Sequence, residues 1–173
     1  MKKTNLILVG FMGTGKSTAG RLLARRLSFS FVDMDQVIEE REGRPISAIF
    51  SQAGEPSFRR LERALVQELS ARENLVIATG GGVVLNPENI RDFERTGVVV
   101  CLTAKPEVIL RRVAAENHRP LLEGDDKARR IMDLLQQRRP LYEALPNRVD
   151  TAEHSPEEVV ARVLDIWQTC AGV

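Results

Sequence analysis

Five short apolar runs recur along the chain: Asn5-Leu6-Ile7-Leu8-Val9, 30–33 (Ser-Phe-Val-Asp), 74–78 (Asn-Leu-Val-Ile-Ala), 98–102 (Val-Val-Val-Cys-Leu) and, more weakly, 147–151. Helical patterns separate them. The runs read as continuously apolar rather than alternating, as strands covered on both faces do. Strands alternating with helices predict an α/β fold, a parallel sheet sandwiched between two layers of helices, with ligands gathering at the C-terminal ends of the strands.

The helical stretches carry their own punctuation. Lys16 to Leu27 places Leu22, Leu23 and Leu27 on one face, and from Pro56 to Arg72 the residues Phe58, Leu61, Leu65 and Leu69 recur at helical spacing. That second pattern leaves Arg59 and Glu62, three apart, adjacent on another face. Asn86-Pro87 and Ser155-Pro156 each set a capping residue before a proline at the first helical position, and Ser155-Pro156-Glu157-Glu158 completes a capping box. The stretch 117–126 has no periodicity and carries turn residues, so it reads as a mobile loop between two helices. Pro140 interrupts the next helical pattern and is expected to kink or break it just after Arg138 and Arg139. Repeats, low-complexity tracts and linkers are absent from the sequence, so 1–173 is expected to form a single domain.

Composition narrows the classes. The 173 residues suit one domain with one core, and 25 Lys+Arg against 24 Asp+Glu leave a net charge of +1. Such a balance offers no global field for nucleic acid or an anionic membrane. Met1-Lys2-Lys3-Thr4 runs directly into the first strand without a signal-peptide pattern, and no apolar run approaches the ~20 residues of a membrane span. A cytoplasmic location is the expectation. Cys101 lies inside a strand pattern and reads as a buried small hydrophobe, Cys170 lies near the C-terminus, and neither has metal-ligand spacing.

Between the first strand and the first helix stands Gly10-Phe11-Met12-Gly13-Thr14-Gly15-Lys16-Ser17, which fits the phosphate-binding loop G-x-x-x-x-G-K-S/T. Its glycines let the backbone turn N–H groups inward around a phosphate. Lys16 would place its ammonium against the β and γ phosphates of a nucleotide, and is expected to face solvent when nucleotide is absent. Ser17 would offer a hydroxyl to Mg²⁺ at the positive end of the helix.

Further chemistry lies downstream. Enzymes with this loop commonly carry an acidic residue at the end of a second strand to organise Mg²⁺. The run at 74–78 ends instead in Thr79-Gly80-Gly81-Gly82, whereas the run at 30–33 ends in Asp33-Met34-Asp35. In an extended segment Asp33 and Asp35 would point the same way, about 7 Å apart, one towards a metal and one towards a substrate. Asp35 could instead cap a helix beginning near Gln36. Gly80-Gly81-Gly82 would allow a ligand close to the main chain, or form a tight turn without one. Arg59 is either a substrate group or part of a solvated face, and Glu62 either its support or a surface partner. Together, carboxylates for hydroxyls, arginines for a carboxylate and bare backbone for a ring match a small polyhydroxylated carboxylic acid.

In these motifs the sequence resembles the shikimate kinases. The resemblance rests on the phosphate loop at 10–17, Asp33-Met34-Asp35, Phe58-Arg59-Arg60-Leu61-Glu62, Gly80-Gly81-Gly82, Arg119-Pro120-Leu121-Leu122 and Arg138-Arg139-Pro140-Leu141-Tyr142, and covers nearly the whole chain. It implies a nucleoside monophosphate kinase-like fold with a five-stranded parallel sheet, a substrate-binding region at about 34–62 and a lid at about 113–126. It also implies ATP and Mg²⁺ as cofactors, shikimate as substrate and a monomeric enzyme. Residue by residue, Gly13, Thr14, Gly15, Lys16, Ser17 and Thr18 would serve ATP, with Arg112 and Pro156 flanking adenine and Arg119 reaching from the lid. Ser17 and Asp33 would serve the metal. Asp35 would meet the acceptor hydroxyl, while Arg59 and Arg138 hold the shikimate carboxylate and Gly80, Gly81 and Gly82 line the same pocket. Lys16, Asp35 and Arg119 would be the catalytic groups, with Glu62 supporting Arg59. The spacing to Tyr142 favours Arg138 over Arg139. Two rivals differ in what they require: a gluconate or nucleotide kinase of the same fold would need a different acceptor pocket, and an ATP-dependent regulatory domain would need neither Asp35 nor Arg119.

Overall fold

A computed structural model of the protein describes residues 3–115 and 126–172. Five parallel strands form one sheet: β1 (Asn5–Val9), β2 (Ser30–Asp33), β3 (Leu75–Ala78), β4 (Gly97–Thr103) and β5 (Arg148–Asp150), in the order β2-β3-β1-β4-β5. The completely buried β1 lies between β3, with Leu6 beside Val76, and β4, with Ile7 beside Val99. Because successive side chains leave a strand on opposite faces, the apolar runs feed two cores at once. Ile7, Val9, Ile77, Val99 and Cys101 belong to one, and Leu6, Leu8, Val76, Val100 and Leu102 to the other.

Two helical layers cover these faces. α1 (Lys16–Leu27) and α7 (Pro156–Ala171) bring Leu23, Val159, Val163 and Trp167 to the second core. α2 (Met34–Glu42), α3 (Ile46–Ser70), α4 (Pro87–Thr96), α5 (Pro106–Ala115) and α6 (Lys127–Glu143) bring Met34, Phe58, Leu65, Phe93, Ile109 and Tyr142 to the first. Each fully buried aliphatic or aromatic side chain contributes roughly 1.5–3 kcal/mol, so both faces share in holding the sheet. The strand order reverses direction at β1, and the loop after it opens at the C-terminal edge, where such sheets bind ligands.

Both marked helix starts are present in the fold. Asn86 accepts from the Glu88 N–H at 3.0 Å, and Ser155 and Glu158 bond reciprocally at 3.2 and 2.7 Å. Other boundaries differ. Asn74 sits at φ 59°, outside the extended region, so β3 begins one residue later than its apolar run. The helix read from Pro56 is the second half of α3: Ile46 to Ala53 form a helical segment of their own, and Gly54, at φ 78° and ψ 165°, breaks the path before Pro56. The expectation at Pro140 is corrected, because α6 runs through it to Glu143. Pro140 lies in the last turn, where the lost N–H bond is a small defect. Its carbonyl still accepts from Ala144 at 3.1 Å.

Candidate active site

The loop between β1 and α1 has the conformation its composition predicts. Gly13 and Gly15 take φ of 76° and 92°, which a side chain would resist, and Gly15 leads into α1 without a side-chain cap over its first N–H groups. Lys16 corrects the expectation of a solvent-facing side chain. It is buried, and its Nζ donates to the carbonyls of Gly10 and Phe11 at 2.8 and 2.9 Å. An ammonium drawn under the loop must find acceptors to offset its lost hydration, and these carbonyls supply two of them.

The outside of the loop is braced by residues the motif does not contain. Thr14 Oγ1 donates to the Phe11 carbonyl at 2.7 Å, so its side chain serves the loop itself. Thr151, just past β5, places its hydroxyl 3.0 Å from the Thr14 carbonyl. Arg112 of α5 donates to the Gly13 carbonyl at 3.1 Å and to the Thr151 hydroxyl and carbonyl at 2.9 and 2.8 Å. Pro156 is exposed at the start of α7, and neither it nor Arg112 lines the cavity described below. No local pattern signals Thr151, because its partners in the loop lie more than a hundred residues away in the chain.

Asp33 and Asp35 do not share an extended segment. Asp33 ends β2 and is itself the cap of α2, accepting from the Gln36 N–H at 3.3 Å, while its Oδ2 accepts from Ser17 Oγ at 2.7 Å. Met34 turns into the core, and Asp35 lies in the first helical turn. The alternative of Asp35 as cap is therefore excluded.

A cavity of about 390 Å³ joins these groups, with Lys16, Ser17, Thr18, Asp33, Asp35 and Arg59 among its walls. Glu62, Arg138 and Gly80 to Gly82 also line it. The glycine turn after β3 is bare at its two ends for steric reasons. A Cβ on Gly80 would stand 2.8 Å from Asp35 Oδ1 and 3.1 Å from Glu62 Oε2, and one on Gly82 would meet both terminal nitrogens of Arg59. A side chain at Gly80 would push the carboxylates aside and one at Gly82 the guanidinium, whereas a Cβ on Gly81 would make only ordinary contacts. Tyr142 donates its hydroxyl to the Gly81 carbonyl, and burial pushes that phenol up to about 12. Arg138 is buried beside the turn, whereas Arg139 is exposed and pairs with Glu143 at 2.6 Å. The cavity-facing arginine is thus the one favoured by its spacing to Tyr142. Glu62 is only 2 % exposed; its Oε1 accepts from Arg59 at 3.0 Å, and Oε2 has no hydrogen-bond partner among the described residues. Burial raises its pKa, with Arg59 opposing the shift and nearby Asp35 adding to it. Arg119 and most of the expected lid lie outside the described residues.

One end of the cavity thus presents a cationic cradle shaped for phosphates, and the other presents carboxylates and arginines around bare backbone. At the C-terminal edge of a five-stranded parallel sheet, that pairing defines a P-loop kinase. The shikimate kinase family model matches residues 12–168. A shikimate kinase from Thermodesulfovibrio yellowstonii is 45% identical over 164 residues, covering 95% of each chain. Among solved structures, shikimate kinase from Acinetobacter baumannii in complex with shikimate matches with a TM-score of 0.89 at 35% identity, covering 96% of this chain and 94% of that one. The chain belongs to the shikimate kinase family, ATP-dependent kinases that transfer phosphate to shikimate. A gluconokinase from Sinorhizobium meliloti, at 17% identity and a TM-score of 0.66, shares the fold alone. Among the described residues no helix is long and apolar enough to cross a membrane.

Proposed function

We propose that this chain transfers the γ-phosphoryl group of ATP to the 3-hydroxyl of shikimate, using Mg²⁺ and the residues that share the cavity. The observation that carries the reading is the common cavity itself: Lys16, Asp35, Arg59 and Arg138 open onto one space of about 390 Å³. Gly13, Thr14, Gly15, Lys16, Ser17 and Thr18 serve the nucleotide phosphates, and Arg119 acts on them with Lys16. Arg112 and Pro156 flank adenine, Arg112 while holding the loop. Arg59 and Arg138 hold the substrate carboxylate by charge-assisted forks, and the glycine turn leaves room for the ring. Asp35 accepts a hydrogen bond from the acceptor hydroxyl. As the oxygen–phosphorus bond forms and the bridging bond to ADP breaks, the hydroxyl proton passes to that carboxylate.

The metal reading rests on its donor set. Ser17 and Asp33 place a hydroxyl and a carboxylate 2.7 Å apart, a pair of hard oxygens, and the described residues contain no group of three or more His, Cys, Asp or Glu side chains that could hold a metal by themselves. That suits Mg²⁺, which keeps most of its waters and takes one or two protein oxygens. When bound, the ion neutralises charge on the phosphates. ATP dependence and two free cysteines support a cytoplasmic setting.

A coupled ADP-release assay across shikimate, quinate, gluconate and nucleoside monophosphates tests the acceptor. Turnover should be confined to shikimate, with quinate at most a poor substitute. Comparable kcat/KM on gluconate or a nucleotide would overturn the assignment.

A further inference from the structure

Arg59 has a second carboxylate partner that no motif announces. Glu55 Oε1 accepts from Arg59 Nε at 3.1 Å and from Nη2 at 3.0 Å, while Glu62 Oε1 accepts from Nη1 at 3.0 Å. The guanidinium is therefore held along two edges. Its outer edge, Nη1 and Nη2, lies against Gly82, where an added Cβ would come within 2.4 Å of both nitrogens. Glu62 is buried and lines the substrate cavity, but Glu55 is exposed and lies only on the far side, in a neighbouring hollow shared with Pro56 and Leu85.

We propose that Glu55 is a positioning residue for substrate recognition: by occupying the Nε and Nη2 edge of Arg59 from behind, it fixes the guanidinium so that its outer edge faces the glycine turn and the substrate carboxylate. The break at Gly54 makes this possible. Its left-handed φ of 78° restarts the helix so that Glu55 sits one turn before Arg59, in i,i+4 register, with Pro56 setting the first turn. Without Glu55 the long arginine side chain, partly exposed, keeps only the Nη1 bond to Glu62 and the face of the Phe58 ring, neither of which fixes the Nε edge, so the guanidinium could turn about its Cδ–Nε bond and present a single donor in place of a fork. An exposed ion pair adds little stability on its own account, so the consequence is geometric and falls on one ligand.

The inference rests on Arg59 as a carboxylate contact, and steady-state kinetics of Glu55→Ala, Glu55→Gln and Arg59→Ala separate the two claims. With shikimate, Glu55→Ala should raise KM by about tenfold, the loss of one well-placed hydrogen bond to a charged group, at nearly unchanged kcat and KM for ATP. Glu55→Gln, which keeps an acceptor oxygen without the charge, should restore most of that affinity. The same variants are then assayed with the carboxamide of shikimate, which lacks the carboxylate. Glu55→Ala should have little effect there, because the fork has lost its ligand. If Glu55→Ala leaves the shikimate KM unchanged, lowers it, or changes both acceptors equally, Glu55 does not position the fork. If Arg59→Ala also fails to distinguish acid from amide, the carboxylate contact itself is wrong.

Discussion

At the scale of single residues, Asp35 and Tyr142 make opposite demands on a proton. Asp35 is the proposed acceptor-side carboxylate, and α2 is capped by Asp33, so the capping of that helix does not depend on it. Asp35→Asn can still orient a hydroxyl but cannot take its proton, and kcat should fall by at least ~10²-fold. ATP binding by calorimetry and the thermal melt should be unchanged; full turnover would remove Asp35 from the chemistry. Tyr142 must keep its proton to donate to Gly81, and burial stabilises the neutral phenol. Its folded pKa of about 12 stands above the ordinary 10.0, so the stabilisation is complete below pH 10 and is lost as pH rises towards 12. The chain has one tyrosine, so tyrosinate absorbance reads this group alone. The native midpoint should lie well above that of the denatured chain, and Tyr142→Phe should flatten the alkaline fall in stability. Coincident midpoints would mean that the phenol is not buried as described.

At the scale of elements, the junction of β2 and α2 gives Asp33 two tasks on separate oxygens, Oδ1 for the cap and Oδ2 for Ser17. Asn caps a helix about as well as Asp, so Asp33→Asn should melt with the wild type. If Asp33 serves the proposed metal, the variant's activity should drop and be partly rescued by raising Mg²⁺. Activity that is low and indifferent to metal would place the defect elsewhere. This junction also shows what a sequence can and cannot tell. The five strands, the phosphate loop and the caps at Asn86 and Ser155 are legible because each is specified by neighbours within a few positions. Asp33 and Asp35 stand out by type, but their geometry depends on where β2 stops, and a helix beginning at Met34 replaces the extended pair. Ile46 to Ala53 escapes a reading by pattern because Gly54 and Pro56 mark a break and hide the helical turns before it. Thr151 and Glu55 escape for different reasons: Thr151 acts across the fold, and Glu55 has the spacing of an ordinary solvated helix pair. The inward fold of Lys16 has no local signal, since it answers to desolvation under a loop.

For the whole molecule, the two cores are separated by one sheet, and the central strands contribute side chains to both. Neither face can loosen without uncovering the other. The single tryptophan, Trp167, packs edge-on against Phe29 on the α1/α7 side, while Tyr142 lies edge-on to Phe11 on the opposite side. Urea unfolding followed by Trp167 fluorescence and by near-ultraviolet dichroism of Tyr142 should therefore give coincident transitions, as one cooperative domain requires. Separated midpoints would divide the chain into two folding units. The strand order has another consequence, for synthesis. β1 is made first, is apolar almost throughout, and lies at the centre of the sheet, yet its partners are Leu75–Ala78 and Gly97–Thr103. A nascent chain leaving the ribosome must carry that uncovered strand past several helical stretches before either flank exists. Holding by a chaperone would act on this protein at the stage when the future centre of its sheet has neither neighbour.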